Sequence, residues 1–106
     1  MSAPATTPQP PYYAVIFTSI RTNGDNGYGE TAKQMVELAA EQPGFLGIES
    51  ARQEIGITVS YWASQEAIKA WKENLDHRHA RNRAKDWYAN FRVRICRVER
   101  EYGADL

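Results

Sequence analysis

Hydrophobic positions change their spacing along the chain, and each change marks an element. Tyr12 to Ile20 are aromatic, β-branched or small at both parities, the pattern of a strand buried on two faces. Asn23-Gly24-Asp25-Asn26-Gly27 is turn chemistry. A helix is predicted from Gly29 to Gln42, because Tyr28, Ala32, Met35, Val36 and Ala39 share one face. Pro43-Gly44 ends it. Phe45 to Arg52 and Ile57 to Trp62 read as strands around the hairpin-length loop Gln53-Glu54-Ile55-Gly56. Ser64 is placed to cap a second helix, with Glu66 in its first turn and a stripe of Ala67, Ile68, Trp71 and Leu75. The stripe changes phase after Leu75. Asp76 is therefore expected to cap a further helical stretch that turns His77, Ala80, Ala84, Trp87 and Tyr88 inward. Phe91 to Glu101 reads as the last strand, its Val93, Ile95 and Cys96 interleaved with arginines.

The order is β-α-β-β-α-β, an α+β ferredoxin-like arrangement with both helices on one face of a four-stranded antiparallel sheet. A sheet covered once should alternate cleanly between apolar and polar. Here Tyr12 to Phe17 are apolar at both parities, and Ile57, Val59 and Tyr61 oppose Thr58, Ser60 and Trp62. Something must cover the second face, and a second copy related by a two-fold axis is the simplest candidate. The expected organisation is a flexible arm over residues 1–11 and a single domain over 12–106.

Composition narrows the function. Thirteen Lys+Arg against thirteen Asp+Glu give no net charge, which argues against nucleic acid as partner, since phosphate neutralisation needs a basic surplus. The balance is uneven: residues 1–75 hold five basic and eight acidic groups, residues 76–100 eight basic and three acidic. That is either an anion-receiving patch or a solvated face. The single cysteine, Cys96, makes no internal disulfide and no zinc site, so a reducing cytoplasmic setting is expected, with Cys96 as a buried inert thiol. The Pro-rich arm lacks the basic start and apolar middle of a secretion signal, and no apolar run approaches the roughly 20 residues of a membrane helix.

The runs Gln42-Pro43-Gly44-Phe45-Leu46-Gly47-Ile48-Glu49 and Tyr61-Trp62-Ala63-Ser64, leading to Trp71-Lys72 and His77, resemble the antibiotic-biosynthesis monooxygenase family. So does Trp87-Tyr88 before the arginine-bearing strand. The resemblance spans Tyr12 to Tyr102 and implies a dimeric α/β barrel, a homodimer through its sheet faces, with a cavity between the sheet and helices of each subunit. It implies a small-molecule substrate. The family mixes cofactor-free oxygenases, haem degraders and members without known activity.

Within that frame His77 is the candidate general base, an imidazole near pKa 6.5 being suited to proton abstraction at neutral pH. Its alternative is a histidine hydrogen-bonded at a helix start. Trp71 is the candidate stacking residue for a planar substrate, and Trp62, Trp87 and Tyr88 are candidate pocket walls. Each has plain core packing as its alternative.

The resemblance also admits haem. Its haem-degrading members pair an Asn on the first strand with a Trp on the second helix and a His about three turns beyond. Trp71 matches the Trp, but three turns at about 3.6 residues each lead to Arg81. His77 and His79 fall short, and Tyr12 to Ile20 contain no Asn. No cofactor is therefore expected, and haem is disfavoured. The readings carried forward are a cofactor-independent monooxygenase of a small aromatic or phenolic substrate and a non-catalytic dimeric binder of a hydrophobic metabolite. RNA recognition shares the element order, but its stacking motif is replaced here by Ile57-Thr58-Val59-Ser60-Tyr61-Trp62.

Overall fold

The described elements run β1 Tyr12–Arg21, α1 Tyr28–Ala40, β2 Phe45–Arg52, β3 Gly56–Trp62, α2 Gln65–His77, α3 Ala84–Trp87 and β4 Tyr88–Val98. The computed structural model describes residues 3–77 and 83–105, except the side chains of 76 and 77. The sheet order is β2-β3-β1-β4, every neighbouring pair antiparallel. This is the ferredoxin-like order that the hydrophobic spacing predicts.

Register decides which residues share a face, because directly paired residues project to the same side. Arg52, Gly56, Ser19 and Phe91 form one row across all four strands. Ser50, Thr58, Phe17 and Val93 form the next, then Ile48, Ser60, Val15 and Ile95, and finally Phe45, Trp62, Tyr13 and Arg97. This is the helix-facing side, since Trp71 of α2 stacks on Trp62 with centroids 6.1 Å apart and 26° between planes. The outer side carries Ala14, Ile16 and Ile20 of β1, Ile57, Val59 and Tyr61 of β3, and Arg92, Arg94 and Cys96 of β4.

Local chemistry explains the joints. Ser64 caps α2 as its position suggests, its Oγ accepting from the Ala67 N–H at 3.1 Å. Gly44 sits at φ +84°, and a Cβ there would meet the Ala67 methyl at 2.7 Å, so the turn after α1 can lie against α2 only as glycine. Asp25 accepts from the N–H groups of Gly27 and Gly29, each at 3.1 Å, and satisfies the start of α1.

Three expectations are corrected. Asp76 does not cap a new helix: α2 continues unbroken through it to His77. Of the expected further stretch, Ala80 lies outside the described residues, and what remains is the single turn Ala84–Trp87. Tyr88 belongs to β4 rather than to a helix, because the Trp87 carbonyl accepts from the Thr22 N–H at 2.9 Å and draws the backbone into the sheet. Cys96 is exposed on the outer face, not buried.

The arm contributes to that outer face. The Ala5 N–H donates to Glu49 Oε2 at 2.9 Å, and the Tyr61 hydroxyl donates to the other oxygen of the same carboxylate. Thr7 Oγ1 donates to Glu101 at 3.0 Å and lies 2.8 Å from the Tyr12 hydroxyl. Tyr12 and Ala14 are buried beside these contacts.

Candidate functional site

The helix-facing side of the sheet is unusual in composition. A layer that packs on helices ordinarily presents Val, Ile and Leu. Here β3 turns Thr58 and Ser60 toward the helices, and Ile57, Val59 and Tyr61 away from them. Ser19, Ser50 and Gly56 add to the small and hydroxyl-bearing part of this floor. Beside it, Val15 and Phe17 of β1 and Phe91, Val93 and Ile95 of β4 form an apolar strip. The three β4 side chains remain 42%, 51% and 56% exposed, so the strip runs open to the sheet edge.

Aromatic groups close both ends. At one, Trp62 has no exposed surface, donates its indole N–H to Ser60 Oγ at 2.9 Å and meets the Phe45 ring edge-on at 5.5 Å. Trp71 lies over it, half-buried. At the other end, Trp87 is buried and donates its indole N–H to the Asn26 carbonyl at 3.1 Å. Tyr28 meets both Trp87 and Tyr88 edge-on, and Phe17 packs on Tyr88 at 5.2 Å and on Phe91 at 5.7 Å.

Burial, with the neighbouring Tyr28 hydroxyl, raises the Tyr88 pKa, and the Arg52 and Arg21 charges only partly oppose this. The Tyr88 hydroxyl therefore stays protonated at neutral pH and is a hydrogen-bond donor rather than a base. Arg21 is held by its own contacts: its guanidinium carbon sits 3.6 Å from the Tyr28 ring centroid, and Nε donates to the Trp87 carbonyl at 2.9 Å. Arg52 reaches across Gly56, with Nη1 donating to the Ser19 carbonyl at 3.2 Å and Nη2 to Ser19 Oγ at 2.5 Å.

The structure thus separates the predicted site residues into two groups: Trp62 and Trp71 at one end of the floor, Trp87 and Tyr88 at the other. His77 is the last residue of α2, and its side chain lies outside the described residues. Sequence reasoning missed Tyr28, Ser19, Arg52, Phe17 and Phe91. Thr58 and Ser60, at the same strand parity as Trp62, were the available signal of a hydroxyl floor. Among the described residues no cluster of His, Cys, Asp and Glu is arranged to hold a metal ion, and no helix is long and apolar enough to cross a membrane.

The chain is 52% identical over 98 residues to the uncharacterized protein YqjZ of Bacillus subtilis, covering 90% of this chain and 86% of that one. Its fold superposes on a crystal structure of SnoaB, a cofactor-independent oxygenase from Streptomyces nogalater, with TM-score 0.74 at 8% identity, covering 87% of this chain and 97% of that one. It also superposes on a mutant of MhuD holding two manganese protoporphyrin IX molecules per active site, with TM-score 0.66 at 26% identity, covering 87% of this chain and 99% of that one. The family model for antibiotic biosynthesis monooxygenases matches residues 11–83, from the end of the arm through α2, and the chain belongs to that family.

Proposed function

We propose that this protein is a cofactor-independent monooxygenase that oxidises a small aromatic or phenolic substrate in the space between helices and sheet. The observation that carries the reading is the hydroxyl-lined floor beside an open apolar strip, where a purely structural layer would be packed with aliphatic side chains. The fold shared with SnoaB, a cofactor-independent oxygenase, supports it.

The chemistry asks little of the protein. A phenol becomes an electron donor once its proton is removed, and His77 is the proposed base. The anion gives electrons to dioxygen. One oxygen atom enters the ring, the other leaves as water, and the phenol becomes a quinone without an external reductant. Trp71 would stack on the substrate plane, with Tyr88 donating a hydrogen bond to a substrate oxygen. Trp62 and Trp87, both buried, would support those two residues from behind.

Haem is disfavoured by the sequence pattern. Cys96 projects outward, away from the helices, and β1 contains no Asn. No step is derived through it.

A homodimer belongs to the same proposal. Ile57 and Ile20 of the outer face are 45% and 41% exposed, and a second copy would cover them beside the arm. A cytoplasmic setting is proposed from the lone cysteine.

Oxygen uptake with a panel of naphthols and hydroquinones tests the function. Turnover by the native protein that is lost in His77→Ala, with binding retained, is the expected result. Saturable binding without oxygen uptake across the panel would favour the non-catalytic binder, and a saturable Soret band on haem titration would overturn the haem-free reading.

A further inference from the structure

We propose that Arg52, laid across Gly56 onto Ser19, is a carboxylate-binding subsite, so that the substrate is an aromatic acid. The inference rests on the function proposed above, with a substrate chamber between helices and sheet, and names its substrate class. The row Arg52, Gly56, Ser19, Phe91 spans the sheet on the helix-facing side, and the Arg52 guanidinium reaches from the β2 edge over β3 to Ser19 of β1, next to the Phe91 ring on β4. Gly56 is buried, and a Cβ there would fall inside the Arg52 guanidinium, so the absence of a side chain is what lets the cation lie flat on the floor. Ser19, 2% exposed, holds it with both a carbonyl and a hydroxyl.

These acceptors are neutral. Among the described residues Arg52 forms no salt bridge, while Arg83 and Arg97 pair with Asp86 and Glu99. An oriented guanidinium fork with unanswered charge, on a residue exposed to solvent, matches the two oxygens of a carboxylate. Phe91, Phe17 and Tyr88 supply ring contacts beside it, and Arg21 adds a second positive charge near Tyr88. An aromatic acid would rest its ring on the apolar strip with its carboxylate at the Arg52 end.

The test is binding of 2-naphthoate against 2-naphthamide, which have nearly the same shape and differ in charge, followed by tryptophan fluorescence and calorimetry. The native protein should bind the acid at least about tenfold more tightly than the amide. Arg52→Gln should bring the two affinities together. Gly56→Ala, which keeps the charge but displaces the guanidinium, should also reduce the preference. Equal affinity for the two probes in the native protein, or a preference that survives Arg52→Gln in a variant with native circular dichroism, overturns the subsite and leaves the chamber standing. Binding of neither probe overturns both.

Discussion

Both faces of the sheet mix apolar and polar residues, but they place them differently. The helix-facing side carries Ser19, Ser50, Thr58, Ser60 and Gly56 among its aromatics and the aliphatic Val15, Ile48, Val93 and Ile95. The outer side carries Ile16, Ile20, Ile57, Val59 and Tyr61. A single protomer therefore has its packed aromatic clusters at the two ends of the inner face, and on the outer one apolar residues interrupted by Thr18 and flanked by Glu49, Arg92 and Arg94. Coverage by helices does not by itself make a face core. Side-chain size and polarity in the middle rows separate a filled layer from a floor.

The largest expected effect lies at the inner aromatic end. Trp62→Ala removes a fully buried indole and should destabilise the fold by about 3–5 kcal/mol, read by urea denaturation. The outer face should respond differently. Ile57→Asp should leave a folded protomer while weakening self-association by about a hundredfold, roughly 2.7 kcal/mol, as read by sedimentation equilibrium. Unchanged self-association, or a native protein already monomeric at micromolar concentration, would remove the second copy from the outer face. Returning to the inner side, Ser60→Ala strips the Trp62 indole N–H of its acceptor and should cost about 1–2 kcal/mol.

The smallest effect is at the arm. The Tyr61 hydroxyl, followed by the Ala5 N–H, holds the Glu49 carboxyl below its ordinary pKa. A carboxyl with a lowered folded pKa stabilises the fold above the ordinary range near 4.3 and loses that contribution as pH falls through its folded value. Glu49 is largely solvent-screened, so the contribution is under about 1 kcal/mol. Tyr61→Phe should flatten the acid limb of the stability profile, and an identical limb in that variant would contradict the linkage.

Much of the architecture was legible in the spacing of residues. Phe45–Arg52 emerges with the expected bounds, and the other strand and helix positions agree to within a few residues apart from the last joint. That joint was misread because Trp87-Tyr88 continues a helical spacing, whereas the Thr22 and Arg21 donors on the Trp87 carbonyl pull the chain into β4. The site was less legible. Trp62 and Trp71 meet as neighbours, but Arg52 and Ser19 are 33 positions apart and become partners only through the β1–β3–β2 register. No local pattern carries that contact. Nor does Cys96 announce its exposure, because strand parity says which residues share a side and not which side is covered.

The Thr7–Glu101 contact has a practical corollary for protein engineering. Residues 94 positions apart meet beside one corner of the sheet, so a short linker could join Thr7 to Glu101. Fresh termini opened in the exposed stretch 53–55 would then give a circularly permuted chain whose strand register is undisturbed.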